Sequence, residues 1–133
     1  MIRLSSYSGW DKTVDHISLL RDSPAGGFFH TNPEEKPWMI LSFPGKVVPN
    51  GIIVVNRWDS SREAAFPLKI YVSADNKNWQ EIASFDKPQD VITVNLAGKN
   101  LEIQYVKFES QHPAGTSGAL HFRRLLVYGK TLY

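Results

Sequence analysis

A chain of 133 residues with 42% hydrophobic content is one domain of ordinary size, long enough to bury a core and too apolar for disorder. The net charge is only +2, and the fifteen Lys and Arg residues are dispersed apart from Arg123-Arg124, which argues against the clustered basic face of a nucleic-acid binder. Cysteine is absent, so the fold closes by packing alone, and no apolar run approaches membrane-spanning length. Met1-Ile2-Arg3-Leu4 runs into serines and a Gly-Trp, so no signal peptide is visible. The compartment stays open: extracellular or cell-surface if the domain is excised from a secreted parent, otherwise cytoplasmic.

Taken in order, residues 1–37 are irregular by pattern. Ser5, Ser6, Ser8, Gly9 and the Ser23-Pro24-Ala25-Gly26-Gly27 cluster form turns, and only Thr13 to Leu20 suggests a short strand or helical turn. Trp38 to Phe43 reads as a strand bounded by Pro37 and Pro44-Gly45, and the Pro49-Asn50-Gly51 turn feeds the next. Ile52 to Val55 is a β-branched apolar run suited to a strand covered on both faces. Asn56, Arg57, Trp58, Asp59, Ser60, Ser61 and Arg62 follow, none of which a core requires. Leu68, Ile70 and Val72 then alternate with Lys69, Tyr71 and Ser73, the period of a strand with one buried face.

Asp75-Asn76-Lys77-Asn78 is a hairpin-type connection in which asparagine tolerates a left-handed backbone. Trp79 to Ala83 is another strand; Ile92, Val94 and Leu96 share one face of the next, and Val106 and Phe108 one face of the following. A loop from Ser110 to Gly118 leads into the last. About eight short strands without a long helix predict an all-β fold, a single jelly-roll β-sandwich over residues 1–133.

Three segments carry a family resemblance. Asn56-Arg57-x-Asp59 with Arg62, followed by the strand and turn ending in Val72-Ser73-x-Asp75-x-x-x-Trp79, is similar to the discoidin family, also called the coagulation-factor type C or galactose-binding-like domain. His30-Thr31-x-Pro33-Glu34-x-x-Pro37-Trp38 resembles its Pro-Trp segment, and Leu120-His121-Phe122 through Val127-Tyr128-Gly129 its closing strand. Together they span most of the chain in family order. The resemblance implies the discoidin topology and extends to CBM32-type carbohydrate-binding modules and F-type lectins.

The residue chemistry points the same way. A planar guanidinium can donate two parallel hydrogen bonds to adjacent sugar hydroxyls, so Arg57 and Arg62 at a loop base, with Asp59 accepting from hydroxyls or fixing a guanidinium, suit a saccharide. The alternative is a loop-bracing ion pair between Asp59 and one arginine. His30 and Arg57 are separated by 26 residues, a spacing that resembles that of the histidine and Arg-x-Asp of the F-type lectins. Only two residues separate Asp59 from Arg62, however, where that pattern has four, so fucose specificity does not carry over. His30 as a loop histidine bonded to backbone is the competing reading. Trp58, inside the polar loop, and Phe28, beside Phe29 after Gly26-Gly27, are the candidates to stack on a pyranose face. Trp10, Trp38 and Trp79 are expected to be structural, the last two packed into the core as in the family.

Many relatives hold a structural calcium between an early loop and a glutamate of the closing strand. Asp22 and Thr31 could supply loop oxygens, but Arg124 falls at the glutamate position, so calcium is disfavoured and Arg124 is expected to pair with a loop oxygen such as that of Asp22. The four histidines form no close set for zinc. No nucleophile elbow, phosphate-cradling glycine loop, thiol or dinucleotide fingerprint is present, so no enzyme and no cofactor are expected. The reading is a noncatalytic carbohydrate-binding module working through loops at one end of the sandwich. Its expected context is a larger enzyme or an oligomer; a membrane partner is disfavoured because the loops lack an apolar run beyond Phe28-Phe29. The alternative is a protein-interaction or adhesion domain, including an accessory domain of a carbohydrate-active enzyme.

Overall fold

The computed structural model describes residues 1–7, 30–57, 62–112 and 118–133. Within them the chain is all-β, with seven strands: β1 (Ile2–Leu4), β2 (Trp38–Val55), β3 (Leu68–Ser73), β4 (Gln80–Phe85), β5 (Val91–Asn95), β6 (Ile103–Ser110) and β7 (Arg124–Thr131). The Thr13–Leu20 expectation lies outside the described residues.

β2 organises the rest. Its first part pairs antiparallel with β1 and β6, through Leu41↔Ile2 and Leu41↔Val106; its last part pairs with β5 and β7, through Val54↔Ile92 and Val54↔Leu125. β3 lies beyond β6 and β4 beyond β3, completing the order β1-β2-β6-β3-β4. The sequence reading split β2 into two strands with turns at Pro44-Gly45 and Pro49-Asn50-Gly51. In the structure those residues instead mark register shifts, between Ser42 and Val47 against β6 and between Pro49 and Gly51 against β7. A bulge accepts a proline and bends the strand, which runs from Trp38, opposite Glu109, to Val47, opposite Ile103, and returns to Val55, opposite Arg124, so one strand passes from one half of the sandwich into the other.

The core follows from pairing parity, because directly opposed residues share a face. Ile70, Phe108, Met39 and Leu4 form one inward row, and Val72, Val106, Leu41 and Ile2 the next. Facing them are Ile92, Val54 and Leu125, and Val94, Ile52 and Val127. Both sets belong to one hydrophobic cluster. Phe108 meets Phe122 edge to face, centroids 5.7 Å apart. Each fully buried aliphatic or phenylalanine side chain contributes roughly 1.5–3 kcal/mol by leaving water.

The same parity corrects two expectations. Ile52 and Val54 are fully buried, but Ile53 and Val55 point to the other face and are only partly covered. Trp38 and Trp79 are half-buried rather than core residues. Met39 and Leu41 face inward, so Trp38 must face out, where the Arg3 guanidinium lies 5.5 Å from its ring centroid. The Lys107 ammonium sits 4.6 Å from the Trp79 ring and 4.9 Å from that of Tyr71.

Registers also fix the two ends. Val55 opposes Val91 and Arg124, and Leu68 opposes Phe85 and Ser110, so the segments following β2, β4 and β6 gather at one end. The β3–β4 turn lies at the other. There Asn76 takes the left-handed backbone expected of it, φ 63°.

Candidate functional site

At the loop-rich end the first fixed point is Asn56, immediately after β2. It is 3% exposed, and its carboxamide is fully used: Nδ2 donates to the carbonyls of Arg62 at 2.8 Å and Gln89 at 3.2 Å, while Oδ1 accepts the Arg57 N–H at 2.9 Å. Its own N–H donates to the Asp90 carbonyl at 2.9 Å. A buried amide left unpaired would cost about 1–3 kcal/mol, so these bonds hold residues 57 and 62 against the 89–90 loop. Asn56 is therefore a structural tie, not a ligand-facing loop residue.

That tie places the two arginines. Arg57 is half-buried, its backbone held by Asn56. The Arg62 Nη2 donates to Asp90 Oδ1 at 2.8 Å, with Arg62 38% and Asp90 78% exposed at the side chain. The pair is worth only about 0.2–1 kcal/mol at such exposure, but it orients a guanidinium that carries five donors. Asp90 is a carboxylate that the structure sets beside Arg62.

The second fixed point is Thr31, which is fully buried. Its N–H donates to the Leu120 carbonyl at 3.1 Å, and its hydroxyl accepts the Leu120 N–H at 2.9 Å. The ring of His30 then tilts against that of buried His121, centroids 5.1 Å apart. His30 Nδ1 lies 2.6 Å from the Thr31 carbonyl, and a carbonyl only accepts, so Nδ1 carries the proton. Two residues past His121, the Arg123 N–H donates to the Val55 carbonyl at 2.9 Å, joining this segment to the end of β2.

Further ties stiffen the same end. Ser6 donates its hydroxyl to the Glu34 carboxylate and accepts the Asn32 N–H at 2.9 Å. Glu34 and Gly118 exchange backbone hydrogen bonds, both 3.2 Å. His112 donates Nε2–H to the Ala64 carbonyl at 2.6 Å, and its ring occupies the space a side chain at Gly118 would need.

Of the residues singled out in the sequence, His30, Arg57 and Arg62 thus share one end of the sandwich. Phe28, Trp58 and Asp59 lie outside the described residues, as do Trp10 and Asp22. Thr31, considered as a calcium ligand, spends its hydroxyl on Leu120, and Arg124 opposes Val55 at the start of β7. Among the described residues no group of three or more His, Cys, Asp or Glu is arranged to hold a metal ion.

The F5/8 type C domain matches residues 3–124, nearly the whole chain. The chain belongs to the F5/8 type C domain family. A comparison with curated proteins gave no match. Among solved structures, this F5/8 type C domain is similar to CpGH89CBM32-5 from Clostridium perfringens, solved in complex with GalNAc-β-1,3-galactose: 17% identity, TM-score 0.73, covering 97% of this chain and 94% of that one. The Streptococcus pneumoniae fucose binding module SpX-3 gives 17% identity and TM-score 0.75 over 98% and 94%. Chitosan-binding module 1 from a Paenibacillus sp. IK-5 chitosanase/glucanase gives 14% and 0.73 over 97% and 94%. At these identities the likeness establishes the fold.

Three residues that frame this end of the F5/8 type C domain had no assigned role in the sequence: Asn56, Asp90 and His121. An asparagine directly after an apolar strand is a capping signal that could have marked Asn56. Asp90 and His121 reach their neighbours only through folding, and nothing local distinguishes them.

Proposed function

We propose that this F5/8 type C domain is a noncatalytic carbohydrate-binding module that takes a mono- or oligosaccharide at its loop-rich end. The observation that carries the reading is the Arg62 guanidinium, braced by Asp90 and anchored through Asn56, at the same end as Arg57 and His30. A braced guanidinium meets vicinal hydroxyls with little ordering cost, and the remaining hydrogen bonds come from Arg57 and the His30 ring. Trp58 and Phe28 are the residues assigned to stack on the sugar, and Asp59 to accept from its hydroxyls. The solved relatives with carbohydrate-binding descriptions support this reading at the level of fold.

A small polar ligand releases little net energy after desolvation, so single-site dissociation constants of about 1 μM to 1 mM are expected. Attachment to a larger enzyme or an oligomer would raise the effective affinity by multivalency. A glycan array probed with the native domain and with Arg62→Ala tests the proposal. Native binding that the variant loses supports it; binding that survives Arg62→Ala removes the site, and no binding by either removes the lectin reading in favour of a protein-interaction domain.

A further inference from the structure

The opposite end of the sandwich carries a separate hollow of 290 Å³, where the β3–β4 turn meets the chain entering β6. That volume is close to the lower bound of about 300 Å³ for small-molecule sites. Trp79 and Leu101 give it apolar surface, while Asn78, Gln80 and Glu102 supply polar groups.

The walls are rigid. Asp75 Oδ1 accepts the N–H groups of Lys77 and Asn78, each at 2.8 Å, and Oδ2 accepts the Asn78 carboxamide at 2.7 Å. Ser73 accepts the N–H groups of Asp75 and Asn76 at 3.2 and 2.9 Å, closing the turn from below. With its Nδ2 engaged at Asp75, Asn78 has a carbonyl oxygen to offer. The Trp79 ring is fixed by the Lys107 ammonium 4.6 Å from its centroid, itself 3.9 Å from the Glu109 carboxylate. Among the described residues, no side-chain hydrogen bond or ion pair engages the Gln80 carboxamide or the Glu102 carboxylate.

The lining includes one carboxylate and no cation. The hollow is therefore rich in acceptors, the reverse of the arginine-bearing loop end. It suits a ligand with an apolar ring face, several hydroxyl donors and a positive charge.

We propose that this hollow is a second carbohydrate subsite, selective for a hexosamine with a free amine. Trp79 packs the C–H face of the pyranose, Glu102 accepts from the ammonium, and Asn78 and Gln80 bond the hydroxyls. The subsite does not depend on the loop-end reading. With both sites present, a single domain would engage two saccharide segments at opposite ends.

An NMR titration of the domain with a β-1,4-linked glucosamine tetramer, to about 20 mM, tests it. The expected result is saturable shifts of the Trp79 indole N–H and of backbone amides in 78–80 and 101–103. Glu102→Gln weakens this binding about fivefold and Gln80→Ala measurably, while Arg62→Ala leaves it unchanged. Both side chains are exposed, so the variants keep the native thermal midpoint. An N-acetylglucosamine tetramer, lacking the charge, binds about fivefold more weakly. No saturable shift at Trp79, or equal affinity for native and Glu102→Gln, overturns the subsite; equal affinity for the acetylated tetramer overturns its amine selectivity.

Discussion

The side-chain amide of Asn56 donates to the main-chain carbonyl of Arg62 at 2.8 Å, six positions further along the chain. One buried carboxamide therefore sets the spacing between the two cationic residues assigned to the ligand. Asn56→Ala leaves two carbonyls and one N–H without their partner, and should destabilise the domain by about 1–3 kcal/mol. Glycan affinity should fall as well, under conditions where the variant remains folded. Denaturant midpoints and binding isotherms on the same protein check both; unchanged affinity would detach Asn56 from the site.

Asp90 provides a different separation of effects. Because the Arg62–Asp90 pair is well exposed, Asp90→Ala should change stability by less than about 1 kcal/mol. It nonetheless removes the brace on the guanidinium, so glycan affinity should drop about threefold to tenfold. Calorimetric titration beside a thermal melt distinguishes the two, and loss of stability without loss of affinity would contradict the positioning role.

Tyr128 covers Gly51 across the β2–β7 pair, its ring filling the place where a Cβ at residue 51 would stand. Gly51→Ala should therefore push the half-exposed ring aside, at a cost below about 1 kcal/mol. In the background of Tyr128→Ala most of that cost should vanish, because the obstructing atoms are gone. A double-mutant cycle by urea unfolding measures the coupling; additive effects would show that the backbone, not the ring, limits residue 51.

Asp75 makes acid stability a readout of the β3–β4 turn. Backbone hydrogen bonds from Asn78 first and Lys77 second, with the Asn78 carboxamide, hold its carboxyl well below the usual carboxylate range. The folded state binds this proton less tightly than the unfolded chain does. Its stabilising contribution is thus complete above the unfolded value of about 4 and is lost as pH falls through the lowered folded value. Asp75→Asn should flatten the acid limb of a stability profile and leave its shape near neutrality unaltered. Urea midpoints taken from about pH 2.5 to 7 would show this, and an identical acid limb in the variant would refute it.

Much of the fold was legible because period-two alternation survives wherever one face is buried, as in Leu68 to Ser73. The Asn76 turn was legible because few residue types tolerate its backbone. The continuity of β2 was not, since Pro44, Pro49 and Gly51 look identical in sequence whether they end a strand or bulge it. Trp38 was misplaced for a related reason: a strand's parity is fixed by its partners, and Leu4 and Phe108, which turn Met39 inward, are remote in sequence. Arg57, Arg62 and His30 stood out by their chemistry, and the structure places all three at the loop-rich end. The burial of Asn56 was not legible, because it depends on carbonyls from residues 62 and 89.

Since β2 threads both halves of the sandwich, the molecule has no seam along which to divide. Cutting the chain at Gly45 would leave each fragment with a stump of the shared strand and an exposed apolar flank. Such fragments should be insoluble when made singly and recoverable only when produced together, each serving as the other's missing wall.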